Sequence, residues 1–294
     1  MKYQSGIKKL NFEVVMRKIV LYIVYGDSQE YYDGANFSIL TFKNWFSEKD
    51  RIEIVVLTEK PKKFYDAEVK VIKMTDQQKN EWSLNGAYHF RIKNRGLSFV
   101  MSELMLNDAD KILFFDTDTY FHKSPLPLFN LIRPDQAVFY LNEGLIYKRK
   151  RFAVYINHLE EKLIEIEGDT YKLSKQSALW GSLMVGIMPN MQPSLEWADK
   201  LMLKFYELVP SHTIEPFSLS ETLLKKYKIV EGRKFVNLYS TSRKREHAKK
   251  VLSNFFEENK KLPNFEKIKK AQKIRIKRPI LIVIKQRFLQ FFER

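Results

Sequence analysis

Residues 111–121 read KILFFDTDTYF, an apolar run that ends on two carboxylates separated by one residue. Four consecutive large apolar residues predict a strand buried on both faces, and charges directly after such a strand lie where open α/β sheets bind ligands. Residues two apart in an extended segment point the same way, so Asp116 and Asp118 can converge on one Mg²⁺ or Mn²⁺ ion. An acidic turn without function has the same two residues, so the interpretation depends on their surroundings.

The chain around this run alternates between strand and helix patterns. Strand patterns occur at residues 18–25, 51–58, 68–74, 136–141 and 179–188. Helix patterns occur at residues 31–45, 97–106, 154–166, 194–208 and 215–224. Strands that alternate with helices predict an α/β fold with a mostly parallel sheet covered on both faces. No repeat or low-complexity linker interrupts residues 1–240, which we interpret as one domain.

The positive charge is concentrated in a C-terminal extension, residues 241–294, which is predicted to be helical. It holds 17 Lys and Arg against 5 Asp and Glu, a net of +12 out of +16, which leaves +4 for the rest. Residues 270–294 form a basic amphipathic pattern with Phe288, Phe291 and Phe292 on one face, which suits an anionic membrane surface. The alternative is that these rings pack on the protein itself or on another subunit.

Other features of the composition narrow the class of protein. The absence of cysteine excludes disulfides and thiolate sites and is typical of cytoplasmic proteins. No apolar run approaches the roughly 18 to 20 residues that span a bilayer, and no signal-peptide pattern follows the N-terminus. We expect a cytoplasmic protein, peripheral on the inner face of the membrane, and no nucleic-acid partner. The oligomeric state is not indicated.

Cationic residues stand upstream of the acidic strand. Arg91, Lys93 and Arg95 occupy alternate positions before the helix that leads into it. If Asp116 and Asp118 hold a metal ion, the obvious polyanion for that ion to neutralise is a nucleotide diphosphate. A leaving nucleoside diphosphate develops negative charge, which the metal ion and a Lys or Arg side chain would stabilise. These residues are therefore candidate phosphate ligands, and the alternative is a basic segment exposed to water.

Two later segments also carry candidate site residues. Gly181 and Ser182 interrupt an apolar run, where small residues let a ligand or a backbone approach closely, although tight packing gives the same pattern. Glu215 precedes a helix and is a candidate general base or ligand for a substrate hydroxyl. An acid near a helix N-terminus is also what the helix dipole favours.

These segments together resemble the glycosyltransferases with the GT-A (nucleotide-diphospho-sugar transferase) fold, particularly those similar to glycosyltransferase family 8. The resemblance covers about residues 18–240 and rests on five segments in the order that such enzymes use: residues 91–93, 115–119, 125–129, 180–186 and 215–220. It implies a Rossmann-like sheet and a transfer of a hexose, dependent on Mn²⁺ or Mg²⁺, from a nucleotide diphosphate to a glycan or lipid-linked acceptor.

The resemblance also implies roles for individual residues. The residues concerned are Tyr25 and Gly26 near the base, Asp116 and Asp118 on the metal, ribose and pyrophosphate, Arg91 or Lys93 on the donor phosphates, Gly181 and Ser182 beside the donor sugar, and Glu215 toward the acceptor. Neither the donor nucleotide and sugar nor the retention or inversion of the anomeric configuration is determined by these motifs.

The chain departs from the family 8 pattern at two places. It has Trp180 where the pattern has Asn, and it lacks the late His of a His-x-x-Gly-x-x-Lys arrangement that serves as a further metal ligand. The comparable place, residues 238–245, reads LYSTSRKR, and the next His is His247. The third metal ligand is therefore not assigned. Arg243, Lys244 or Arg245 is a candidate for supplying positive charge against the diphosphate in its place.

Two other functions compete with this interpretation. Haloacid-dehalogenase-type phosphatases also place Asp-x-Asp after an apolar strand, but they require Thr where this chain has Tyr120, and Gly168-Asp169 lacks the second downstream acid. A basic nucleic-acid-binding protein would fit the pI of about 9.6. The small charge of residues 1–240 and the absence of a known nucleic-acid-binding motif argue against it.

Overall fold

The computed structural model of the chain describes residues 16–276. Its first half contains, in chain order, β1 (Lys18–Val24), α1 (Gln29–Lys43), β2 (Ile52–Thr58), β3 (Lys70–Lys73), α2 (Asp76–Trp82), α3 (Arg91–Glu103), β4 (Lys111–Phe115), β5 (Thr119–Tyr120) and α4 (Pro127–Leu131). The second half contains β6 (Gln136–Leu145), α5 (Ala153–Leu159), β7 (Ile164–Ile166), β8 (Asp169–Tyr171), β9 (Ala178–Ile187), α6 (Gln192–Leu208), α7 (Ile214–Leu224), β10 (Lys228–Glu231), β11 (Asn237–Leu238), α8 (Ser242–Asn259) and α9 (Asn264–Ala271).

Seven strands form the central sheet in the order β3-β2-β1-β4-β9-β6-β10. The pairs β1–β2, β2–β3, β1–β4 and β6–β10 are parallel, whereas β9 runs antiparallel to both β4 and β6. The prediction of an α/β fold with a mostly parallel sheet, covered by helices as the resemblance implies, is confirmed.

Both faces of the sheet are buried, which explains why its central strands read as continuous apolar runs. Alternate residues of β1 point to opposite faces. Ile19, Leu21 and Ile23 pack with side chains of α3, α6 and α7, whereas Tyr22 on the other face packs with those of α1 and α4. β4, the strand that leads into the acidic pair, is covered in the same way, with Ile112 and Phe114 on the first face and Leu113 and Phe115 on the second.

Two helix predictions differ from the structure. α3 begins at Arg91 and not at residue 97, so Arg91 and Lys93 lie in its first turn. The helix expected over residues 154–166 ends at Leu159, and β7 and β8 form a hairpin instead. The turn of this hairpin holds Glu167 and Gly168 at φ 49° and 85°, the left-handed backbone that two-residue hairpin turns require.

The C-terminal helices pack against the sheet domain. Ala248, Leu252 and Phe255 of α8 form one buried cluster with Phe37 and Leu40 of α1. The segment expected to bind a membrane, residues 270–294, falls mostly outside the described residues. Within residues 16–276 no helix has the length and apolarity needed to cross a bilayer.

Candidate active site

The topology brings several chain segments to one edge of the sheet. The carboxyl ends of the parallel strands β1 and β4 lie there, and the antiparallel β9 contributes its first half to the same edge. α3 and α7 each precede a strand of the parallel set, so their N-termini point to this edge too. Side chains that are far apart in sequence therefore meet beside the acidic pair.

The acid loop, residues 116–118, joins β4 to β5 and is fixed first by its own backbone. The Asp116 N–H donates to the Leu183 carbonyl of β9 at 2.9 Å. The Thr119 hydroxyl donates to the Asp116 carbonyl at 2.7 Å. The Asp116 side chain thus leaves the end of the sheet at a defined position.

The second half of the acid loop is fixed by the segment after β11 and by α1. Tyr239 donates its N–H to the Asp118 carbonyl and its hydroxyl to the Thr117 carbonyl, each at 3.2 Å. On the other side the loop lies directly on α1 at Gly34, where an added Cβ would be 2.5 Å from the Thr117 carbonyl oxygen. Only glycine permits this approach without a shift of the loop.

Lys93 lies at the centre of a polar cluster that it forms with Asp116, Ser182 and Glu215. Its Nζ lies 3.4 Å from Asp116 Oδ1 and 3.3 Å from Glu215 Oε2. The same amine donates to the Ser182 carbonyl at 3.2 Å and to the Ser182 hydroxyl at 3.1 Å. One buried ammonium therefore joins α3, β9, α7 and the acid loop.

Glu215 is 1% exposed and is held from two sides. The Ser182 hydroxyl donates to its Oε2 at 2.8 Å, and its own N–H donates to the Tyr88 hydroxyl at 2.9 Å. Its other oxygen, Oε1, is buried and has no hydrogen-bond partner. Since an unpaired buried acceptor is costly, this oxygen is a place where a ligand hydroxyl would be stabilised.

Asp118 pairs with a cation from the C-terminal extension. Arg245 of α8 donates to Asp118 Oδ2 through Nε at 3.2 Å and through Nη2 at 2.8 Å. The carboxylate is buried, and its Oδ1 has no hydrogen-bond partner. The two acids of the loop are therefore paired with different cations, Asp116 with Lys93 and Asp118 with Arg245.

The electrostatics follow from this burial. Burial raises the pKa of the Asp116 carboxyl above its usual value; Lys93 opposes the rise, and Asp118 and Glu215 add to it. Burial by itself would lower the pKa of the Lys93 amine, but Asp116 and Glu215 outweigh it and raise that pKa. Lys93 is therefore a cation at neutral pH.

Tyr25 and Gly26, expected near the donor base, follow β1 at the same edge. The Tyr25 hydroxyl donates to the His89 carbonyl at 3.0 Å. Burial raises the pKa of the Tyr25 phenol, and the charge of Asp116 adds to the rise, so the ring lies within electrostatic reach of the cluster. Gly26 has φ 92° and donates its N–H to Glu59 Oε1 at 2.5 Å.

Arg91, Arg95 and Gly181 are not brought into the cluster. Arg95 lies 3.7 Å from both Glu81 and Asp199. Arg91 is buried and donates to both oxygens of Asp199 at 2.8 and 2.7 Å, and to the Glu81 carbonyl at 3.0 Å. This bidentate pair joins α3 to α6, so it has a packing role. Gly181 lies on the other face of β9, because the side chain of the next residue, Ser182, points into the cluster. A Cβ added at Gly181 would lie 3.2 Å from Glu143 Oε1.

The residues present fit a divalent cation. Among residues 16–276 no group of three or more His, Cys, Asp or Glu is placed to hold a metal ion. Mg²⁺, however, is typically bound by one or two carboxylates together with substrate phosphates. Asp116 and Asp118 supply hard oxygen ligands, and the orphaned Asp118 Oδ1 is a buried oxygen that a cation would satisfy. The fit is that of a two-carboxylate site completed by a phosphate-bearing ligand.

Comparisons with known proteins give a fold-level likeness only. No family model matches the sequence, and no curated protein matches it either. One solved structure that it resembles is that of the galactosyltransferase LgtC in complex with donor and acceptor sugar analogs. The two chains are 10% identical, the match covers 72% of this chain and 73% of that chain, and the TM-score is 0.49. Function therefore has to be inferred from the site itself.

Three residues that shape the site were not found by sequence reasoning. Gly34 is an ordinary helical position in the sequence, and its contact with the acid loop exists only in three dimensions. Tyr88 and Tyr239 each hold backbone groups of the cluster through a hydroxyl. Tyr239 directly follows the short strand β11 and lies beside the basic run, which is the one signal that could have directed attention to it.

Proposed function

We propose that this chain is a glycosyltransferase of the hexosyltransferase type, which moves a sugar from a nucleotide diphosphate donor to a glycan or lipid-linked acceptor. One observation carries the proposal: the Asp116 carboxylate meets the buried ammonium of Lys93 at the carboxyl ends of β1 and β4, and Asp118 follows two residues later in the same acid loop. Ligands of open α/β sheets bind at such an edge. A site with carboxylates for a metal ion and a fixed cation suits a diphosphate.

The charges of the cluster favour a divalent cation as part of the donor site. Asp116, Asp118 and Glu215 face the cations Lys93 and Arg245, which gives one negative charge in excess when all three acids are ionised. Burial raises the pKa of Asp116 to about 7, so this excess develops as the pH rises through neutrality. A donor diphosphate would add negative charge that the two cations do not offset. Mn²⁺ or Mg²⁺ on Asp116 and Asp118 would offset this, and would neutralise the diphosphate as the sugar leaves it.

The protein side chains would act as follows. Lys93, fixed by Ser182 and Glu215, would supply a positioned charge beside the departing diphosphate. Glu215 Oε1 would accept a hydrogen bond from a sugar hydroxyl, since it lacks a partner. Tyr25 and Gly26 would line the base end of the donor. For Arg91 and Gly181 the contacts with Asp199 and Glu143 favour packing roles over ligand contacts.

The acceptor side of the proposal rests on the sequence. The basic residues 270–294 would hold the enzyme to an anionic membrane surface, where a lipid-linked precursor of a polysaccharide is met. Removal of residues 277–294 should abolish co-sedimentation with phosphatidylglycerol vesicles. Equal sedimentation of the shortened chain would contradict this part of the proposal.

The test of the function is calorimetric titration with uridine and guanosine diphosphates and their hexose conjugates, with and without Mn²⁺. The native chain should bind one of these at least tenfold more tightly when Mn²⁺ is present. Asp116→Asn and Asp118→Asn should each weaken this binding by tenfold or more, because each removes a charged ligand of the cation. A tenfold loss corresponds to about 1.4 kcal/mol of binding free energy. Asp108→Asn, at an exposed position, is the matched control and should bind like the native chain.

Three results would argue against this function. The first is the absence of nucleotide binding, or binding that does not depend on Mn²⁺. The second is release of phosphate from a phosphate monoester in a manner that requires Asp116, which would favour the phosphatase alternative. The third is salt-dependent binding of DNA or RNA that survives removal of residues 270–294.

A further inference from the structure

Arg245 has a backbone position fixed by its helix and a side chain that is largely exposed beside the acid loop. It lies in the first turn of α8, and that helix is anchored on α1 by buried residues that include Leu252 and Phe255. The Arg245 side chain itself is 56% exposed. The backbone position is therefore set by packing, while the guanidinium can change its partner at low cost in buried contacts.

Its partner, Asp118, is in a different situation. This carboxylate is 7% exposed, so bulk water does not solvate it, and its two oxygens are used unequally. Oδ2 accepts both bonds from Arg245, and Oδ1 has no hydrogen-bond partner. Any divalent cation that uses Asp118 as a ligand meets the positive charge of Arg245 at close range. The two cations therefore compete for one carboxylate.

We propose that Arg245 exchanges partners during donor binding. Arg245 pairs with Asp118 while no divalent cation is bound there. Once Asp118 is a ligand of the cation, Arg245 pairs with the donor diphosphate instead. A guanidinium fork matches phosphate oxygens as well as carboxylate oxygens, so the exchange replaces one charge-assisted pair with another. This inference rests on the proposed function and names the residue that couples its two ligands.

The exchange has a thermodynamic consequence that a static clamp would not have. Without nucleotide, Arg245 weakens the binding of the divalent cation, because its guanidinium charge repels a second cation on the same carboxylate. With nucleotide, the released guanidinium strengthens the complex. Cation and nucleoside diphosphate should then bind with positive coupling, and the coupling factor must be the same whichever ligand is added first.

Isothermal titration of Mn²⁺ alone, of nucleoside diphosphate alone, and of each in the presence of the other measures this coupling directly. The probes are uridine diphosphate and guanosine diphosphate. In Arg245→Gln we expect Mn²⁺ alone to bind about tenfold more tightly, and the coupling factor to fall by about tenfold, within the range usual for coupled sites. Arg245→Lys keeps the charge without the fork and should retain part of the coupling.

Lys249→Gln is the matched control, since it removes the same charge from α8 at a residue that pairs with Glu30. It should leave both titrations as in the native chain. The inference is overturned if Arg245→Gln binds Mn²⁺ alone no more tightly than the native chain, or if its coupling factor is unchanged. The proposed function fails separately, if the native chain binds neither nucleotide in the presence of Mn²⁺.

Discussion

Lys93 shows how one side chain can define a site by its partners. A buried ammonium is unfavourable on its own, and here it is offset by two carboxylates from segments that meet only in the folded chain. Glu215 depends on Lys93 in the same way, because its carboxylate is almost fully buried beside the ammonium. The two residues should therefore be strongly coupled in the stability of the protein as well as in its proposed chemistry.

A double-mutant cycle on Lys93 and Glu215 tests this dependence. Lys93→Met should lower the free energy of unfolding by about 3 kcal/mol, because breaking a buried pair leaves an uncompensated charge. Adding Glu215→Gln should recover part of that loss, which gives a coupling energy of about 2 kcal/mol. Urea unfolding of the native chain and the three variants measures it.

The control cycle uses the exposed pair Lys260–Glu257, which should show a much smaller coupling because solvent screens it. Strict additivity of Lys93→Met and Glu215→Gln would mean that the two charges do not depend on each other. The central place given to Lys93 would then be wrong.

At the scale of elements, the acid loop is positioned by neighbours on both sides. β11 pairs with β5, and the residue after β11 bonds to the loop backbone, while α1 touches the loop at Gly34. The loop is thus enclosed between the first helix and the segment that leads into α8. Small shifts of either element would move both carboxylates together.

Gly34→Ala should disturb the acid loop more than it disturbs the helix. Ala favours a helix interior over Gly by about 1 kcal/mol, but the new Cβ would be 2.5 Å from the Thr117 carbonyl oxygen, which must shift. We expect at least a tenfold loss in Mn²⁺-dependent nucleotide binding, measured by calorimetry.

Gly96→Ala is the comparison, since its Cβ would meet the flexible end of the Ile23 side chain at 2.8 Å, away from the loop. It should change the thermal midpoint without weakening nucleotide binding. If both variants lose binding equally, the effect does not come from the loop contact.

At the scale of the whole molecule, the C-terminal extension contributes to the core and to the site. α8 and α9 bury apolar side chains against α1, and α8 also brings Arg245 to Asp118. A boundary at residue 240 follows the composition of the chain, which becomes basic there. The packing continues across that position.

Two shortened chains test whether the folded unit ends at residue 240 or includes α8 and α9. A chain that ends at residue 276 should unfold cooperatively like the native chain, since it keeps α8 and α9. A chain that ends at residue 240 should lose cooperative unfolding, because it loses the side chains that cover Phe37 and Leu40, and burial of each large apolar side chain contributes about 1.5 to 3 kcal/mol. Circular dichroism during heating measures both, and a cooperative transition in the shorter chain would show that residues 1–240 fold independently.

The sequence by itself determined the fold class, because strands buried on both faces must be written as apolar runs and their alternation with helices allows few topologies. It also determined that Asp116 and Asp118 stand at the end of such a strand. It misplaced the start of α3 and missed the β7–β8 hairpin, where a turn at residues 167–168 outweighed the helical spacing. Local patterns do not record such competition between a turn and a helix.

Only the tertiary structure decided which side chains meet the two acids. Three cations upstream of β4 are equivalent in the sequence, yet Lys93 reaches Asp116 and Arg91 pairs with Asp199. Arg245 reaches Asp118 from 127 positions away along the chain. The physical reason is that pairing and burial of charges depend on the packing of α3, α6 and α8 on the sheet domain, which residue order does not specify.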